Sequence, residues 1–66
     1  GIIMLLTLTE SISDSSIAVN PKYVVAVFTS NDAEHKGTTV VSMINGAVFV
    51  KESYIDVVGQ IQGQLR

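Results

Sequence analysis

Thr39-Val40-Val41-Ser42-Met43-Ile44-Asn45-Gly46-Ala47-Val48-Phe49-Val50 is two runs of branched and aromatic side chains on either side of Asn-Gly. Branched residues keep few helix rotamers but pack well on a pleated surface, so each run reads as a strand. Asn-Gly between such runs is the strongest short hairpin signal, because both residues tolerate the positive φ of a type I′ turn. With Asn45-Gly46 as the turn, Ile44 faces Ala47, Met43 faces Val48, Ser42 faces Phe49 and Val41 faces Val50. Alternate pairs share a face. Met43, Val48, Val41 and Val50 then make a wholly apolar face suited to the core, and Ile44, Ala47, Phe49 and Val40, diluted by Ser42, make the other.

Outward from this hairpin, further strands are expected near 2 to 9, 16 to 20 and 23 to 29, with the hairpin strands at 38 to 44 and 47 to 51. Strict alternation in the third puts Val25 and Val27 on one side and Val24, Ala26 and Phe28 on the other. Asn20-Pro21 separates the second strand from the third, since Pro donates no ladder hydrogen bond and drives the preceding residue to an extended conformation. The serine-rich run Ser11 to Ser16 reads as a flexible connection, and Ser30 to Gly37 as a solvated loop whose charges discourage edge-strand aggregation. After Lys51 the apolar period changes from two to about 3.6: Tyr54, Val57, Val58, Ile61 and Leu65 fall on one stripe of a C-terminal helix, with Ser53 as N-cap and Asp56 completing a weak capping box. Gly59 and Gly63 lie one turn apart, off that stripe, where a helix ordinarily avoids glycine.

The expected fold is therefore α+β, in one small domain spanning residues 1–66: a small, strongly curved antiparallel sheet or partial barrel of four or five strands with one C-terminal helix. The chain has no cysteine, so it has neither disulfides nor thiolate metal sites. Hydrophobic residues make up 47% of it and charged residues only 15%, a balance that points to self-association. One helix can cover only one face of such a sheet. Val24, Phe28, Ile44 and Phe49, together with the Cβ-free strip of Gly59 and Gly63, are the candidate oligomer interface.

Chemistry-bearing residues are sparse. His35 is the single imidazole, and Asp32, Glu34 and His35 in one short loop make a poor zinc site, so no metal and no cofactor is expected. The serines have no neighbouring base, and no glycine-rich phosphate loop follows a strand, so the chain is read as not an enzyme. A net charge of −2 argues against a phosphate-binding surface for nucleic acid. Asn31, His35, Lys36 and Thr38, with Lys22 and Lys51, could converge across a symmetric interface on a small nucleotide ligand without leaving a linear motif. The apolar run Ile2 to Leu8 is seven residues, where a membrane-spanning helix needs about 20, so no membrane span is expected and the cytoplasm is the default location.

Leu6-Thr7-Leu8-Thr9, then Val19-Asn20-Pro21-Lys22-Tyr23-Val24, then Thr39 to Ser53 running into Val57-Val58 and Ile61, resemble in that order the FlbD family of small flagellar-operon proteins. The resemblance implies a binding or assembly role with a flagellar protein as partner. It departs from the family at Glu10 to Ser16 and in the length of the Ser30 to Gly37 loop. Relatives of this kind also look like small phage and mobile-element proteins, which implies a host factor as the alternative partner. A weaker likeness, in Leu5 to Thr9 and Gln60-Ile61-Gln62, is to the carbon storage regulator family of RNA-binding dimers; the arginines with which that family holds RNA have no counterpart beside these strands, since the only arginine is Arg66.

Overall fold

The computed structural model describes residues 4–64. Expectations for Ile2 and Ile3 in the first strand, and for Leu65 on the helical stripe and Arg66, lie outside the described residues. The elements run β1 (Leu6–Thr9), β2 (Ser16–Val19), a 3-10 turn (Pro21–Tyr23), β3 (Val24–Thr29), β4 (Thr39–Met43), β5 (Gly46–Val50) and α1 (Tyr54–Gln64). The architecture is α+β, as expected: a two-stranded antiparallel sheet β1-β2 and a three-stranded antiparallel sheet β3-β4-β5, with one C-terminal helix.

The two sheets meet at a corner. Glu10 bridges Val50 in antiparallel fashion, the Ser11 amide donates to the Phe49 carbonyl at 2.9 Å, and the Lys51 amide donates to the Thr9 carbonyl at 2.9 Å. The chain leaving β1 thus runs along the far edge of β5 and turns the β1-β2 hairpin over one face of the larger sheet. Helix α1 shares that face. Leu6 and Leu8 from β1, Val19 from β2, Val41 and Val50 from the sheet, and Val57 and Ile61 from α1 form the core, with Ile17, Val24, Val27, Met43 and Val48 packed against it. Ser53 caps α1, its hydroxyl accepting from the Asp56 amide at 3.2 Å, and Gly59 and Gly63 stand on exposed positions of the helix as its periodicity requires.

Three local expectations need correction. The first is the hairpin register. Met43 pairs with Gly46, Ser42 with Ala47, Val41 with Val48, Val40 with Phe49 and Thr39 with Val50, so the loop is Ile44-Asn45. Gly46 has φ +150°, while Ile44 and Asn45 both keep negative φ, which excludes a type I′ turn. The glycine supplies its conformational freedom at the first strand residue, and the Ile44 amide is drawn to the Tyr23 carbonyl at 3.1 Å, a long-range bond that no local turn rule contains. The displacement is even, so Val41, Val48, Val50 and Met43 still share the core face.

The second correction is Val24. A β-bulge between Val24 and Ala26 inserts Val25 without a partner, so Val24 pairs with Met43 and turns inward together with Val27, leaving Val25 68% exposed. Val24 is therefore not on the outer face with Phe28. The third concerns the loop after β1, expected to be flexible. It is a hydrogen-bonded turn: the Glu10 carboxylate accepts from the amides of Ile12 (2.9 Å) and Ser13 (3.1 Å) and from the Ser13 hydroxyl (2.7 Å). The Glu10 amide donates to Ser15 at 2.8 Å, Asp14 takes up φ 61° and its carboxylate pairs with Lys51.

Candidate interaction surface

Because the hairpin and the helix share one face of β3-β4-β5, the opposite face receives no secondary-structure element among the described residues. Register places Phe28, Val40 and Phe49 side by side across the three strands of that outer face, with Ala26, Ser42 and Ala47 in the next row. Val40 is buried between the two phenylalanines, and Phe28 stays 50% exposed. Part of the row is covered by the loop between β3 and β4. His35 lays its imidazole on Phe49 with ring centroids 4.0 Å apart and planes 20° from parallel. The loop holds this pose through its own backbone. The Ser30 amide donates to Thr38 (2.8 Å), the His35 amide to Asp32 (3.0 Å) and the Thr38 amide to His35 (3.0 Å). The segment read as a solvated spacer thus has exposed charges at Asp32, Glu34 and Lys36 but one inward ring.

The candidate ligand group is only partly assembled. Thr38 spends its hydroxyl on the His35 carbonyl at 2.7 Å, His35 spends its ring on Phe49, and Asn31 and Lys36 are exposed. The candidate interface residues also divide. Phe28 and Phe49 lie on the outer face, Ile44 projects from the turn with 69% exposure, and Gly59 and Gly63 belong to α1 on the inner side. A Cβ built on either glycine meets nothing within 4 Å, so within one chain neither glycine is required for a close approach.

Two features were not foreseen in the sequence. Glu52, between β5 and α1, fastens the corner: its carboxylate accepts from the Thr9 amide at 2.9 Å and the Thr9 hydroxyl at 3.0 Å, and its carbonyl accepts from the buried Thr39 hydroxyl at 2.7 Å. Desolvation pushes the Glu52 carboxyl up, but the Thr9 amide, its own amide and the Thr9 hydroxyl outweigh it, and the net displacement is downward. Glu10 is lowered from 4.5 to about 2, chiefly by the Ile12 amide, then by the Ser13 hydroxyl and amide, with a further contribution from His35 nearby. Both carboxylates are structural acceptors with their lone pairs committed to neighbouring donors.

The second feature is a groove of about 260 Å³ between β3 and α1, lined by Val24 through Val27 on the strand and by Tyr54, Val58 and Ile61 among the residues of the helix. Four consecutive strand residues line it, so it runs along the edge of β3 rather than over one face, where only alternate side chains point. Among the described residues β3 has β4 as its single neighbour. No three His, Asp or Glu side chains among the described residues stand close enough together to hold a metal ion, and no helix there is long and apolar enough to cross a membrane. Comparison with protein-family models, characterised proteins and solved structures finds no match.

Proposed function

We propose that this chain is a non-enzymatic binding and assembly protein that acts as a homo-oligomer, of the kind the FlbD-like resemblance implies. One observation carries the reading: the outer face of β3-β4-β5 holds the apolar row Phe28-Val40-Phe49, with His35 of the adjoining loop stacked on Phe49 and Phe28 left 50% exposed. A half-exposed aromatic in a row with a buried valine is costly to leave in water and is stabilised when a second surface covers it. The Thr38 hydroxyl beside this row is engaged within the loop and the His35 ring on Phe49, and apolar contact is the surface's means of recognition. Sedimentation equilibrium at micromolar concentration tests this. The expected result is a dimer or larger species that Phe28→Glu dissociates while the far-ultraviolet circular dichroism is retained. A wild-type monomer at hundreds of micromolar overturns the reading.

A further inference from the structure

The loop between β3 and β4 is shaped by its own hydrogen bonds. At the stem the Ser30 amide donates to the Thr38 carbonyl and the Gly37 amide to the Ser30 carbonyl, at 2.8 and 3.3 Å. Nearer the tip the Asp32 amide donates to the Ser30 hydroxyl at 3.1 Å, and the Glu34 amide to the Asp32 carboxylate at 3.0 Å. All of these bonds begin and end between Ser30 and Thr38. Within that frame Asn31 to Glu34, Lys36 and Gly37 are exposed, and His35 alone is partly buried. Residue 35 takes part in the frame through its amide and carbonyl, so its ring is free of any role in shaping the loop. The ring is stacked instead on Phe49 of β5.

That contact crosses the sheet. The loop leaves β3 after Thr29 and enters β4 at Thr39, which pair with each other, and Phe28, Val40 and Phe49 form the next row. To reach Phe49 the loop folds back past β4 onto the third strand. Phe28, the member of the row on the loop's own strand, is left half exposed, while the far member is taken up. A loop with a self-contained frame, fastened at its tip by one ring, can lift from the sheet without losing its internal bonds.

We propose that the Ser30–Thr38 loop is an autoinhibitory strap: His35 occupies the Phe49 ring that a second copy of the chain needs, and self-association requires the loop to lift. The inference rests on the self-assembly proposed above and specifies what limits it. Sheets packed face to face lie about 10 Å apart, and a loop carrying a ring stacked 4.0 Å from Phe49 has entered that space. An aromatic stack favours the closed position by about two- to tenfold. The open fraction of each chain is then about a third to a tenth. Because a dimer of outer faces needs both copies open, the strap raises its dissociation constant by about tenfold to a hundredfold.

A single imidazole makes the strap observable. His35 is the one histidine of the chain, so its carbon-bound ring protons give isolated NMR signals, displaced by the ring current of Phe49 while the two are stacked. Phe49→Leu in dilute solution removes that displacement and marks the unstacked positions. At fixed pH the wild-type signals should move toward those positions as concentration rises and sedimentation mass reaches the dimer. Independently, His35→Ala, which keeps the loop's backbone bonds, should tighten dimerisation by about tenfold to a hundredfold, with circular dichroism confirming that it folds. A wild-type dimer whose imidazole signals stay at their stacked positions, or a folded His35→Ala chain that associates no more tightly than wild type, overturns the strap and leaves self-assembly standing. A wild-type monomer at hundreds of micromolar overturns both.

Discussion

The two faces of the β3-β4-β5 sheet are composed of similar side chains and meet different surroundings. On the inner face Val41 and Val50 are fully buried beneath the β1-β2 hairpin and α1. On the outer face the same strands present Phe28, Val40 and Phe49, where His35 stacks on Phe49 and Phe28 stays half exposed. The difference lies in connectivity. The chain leaves β5 at Lys51, Glu52 ties the start of α1 to Thr9 of β1, and both covering elements are thereby kept on one side. Side-chain pattern decides what a face can bury, while the placement of connections decides whether the same chain buries it.

The sharpest way to break this comparison is to truncate one apolar side chain on each side. Leu8 is 1% exposed and packed at the centre of the core, so Leu8→Ala should cost about 2–5 kcal/mol through lost burial and an unfilled cavity. Phe28→Ala should cost the monomer less than about 1 kcal/mol, because half of its ring is already in water. Denaturant titrations at a concentration low enough to keep the chain monomeric measure both. Equal losses would mean that the outer face is as fully packed as the inner one.

The inner face was legible in the sequence because burial follows parity along a strand. Met43, Val41, Val48 and Val50 were assigned to it correctly even though the register was displaced, since an even displacement returns every side chain to its own face. The register itself was not legible: Ile44 is pulled into the turn by the Tyr23 carbonyl, a residue 21 positions away. Val24 was misassigned because a bulge leaves no trace in an apolar run where every residue suits a strand. Of the candidate surface, Phe28 and Phe49 were recognised on the outer face, whereas the His35 stack and the Glu52 fastening depend on loop closures that bring together residues 14 and 43 positions apart.

The exposed side of α1 provides the next test. A Cβ at Gly59 or Gly63 finds open space, and neither residue has the positive φ that would make a side chain strained. Each Gly→Ala replacement should therefore raise helix stability by about 1 kcal/mol, and the Gly59→Ala, Gly63→Ala variant should be stabilised by up to about 2 kcal/mol in total and melt at a higher temperature. Unchanged oligomer mass would confine these glycines to a structural role. A loss of association despite the better helix would extend the interaction surface to the side of the molecule opposite Phe28.

Glu52→Gln probes what keeps both covering elements on one face. The amide isostere loses charge-assisted acceptance from the Thr9 amide and hydroxyl, and at a half-buried site that should cost about 1–2 kcal/mol. It should also raise hydrogen exchange of the Thr9 amide selectively, whereas a general loosening of the core would raise exchange in β4 and β5 equally.

The smallest effect belongs to Glu10, which sits at the surface of the same corner, where water and salt screen its interactions. Its carboxyl is lowered to about 2 in the folded chain against an ordinary 4.5, first by the Ile12 amide and then by the Ser13 hydroxyl and amide. Between those two values the unfolded chain binds a proton that the folded chain does not, so stability declines as pH falls from about 4.5 to about 2, and the contribution is present in full above 4.5. Glu52 is displaced in the same direction and adds to the same acid limb. Denaturation midpoints taken at pH 6 and at pH 3 should therefore lie further apart for the wild-type chain than for Glu10→Gln, which has no carboxyl to titrate. If the two proteins lose stability equally, the turn is held by the Glu10–Ser15 and Asp14–Glu10 backbone bonds and the left-handed Asp14 rather than by the carboxylate, and the acid limb is left to Glu52 and the other carboxyls.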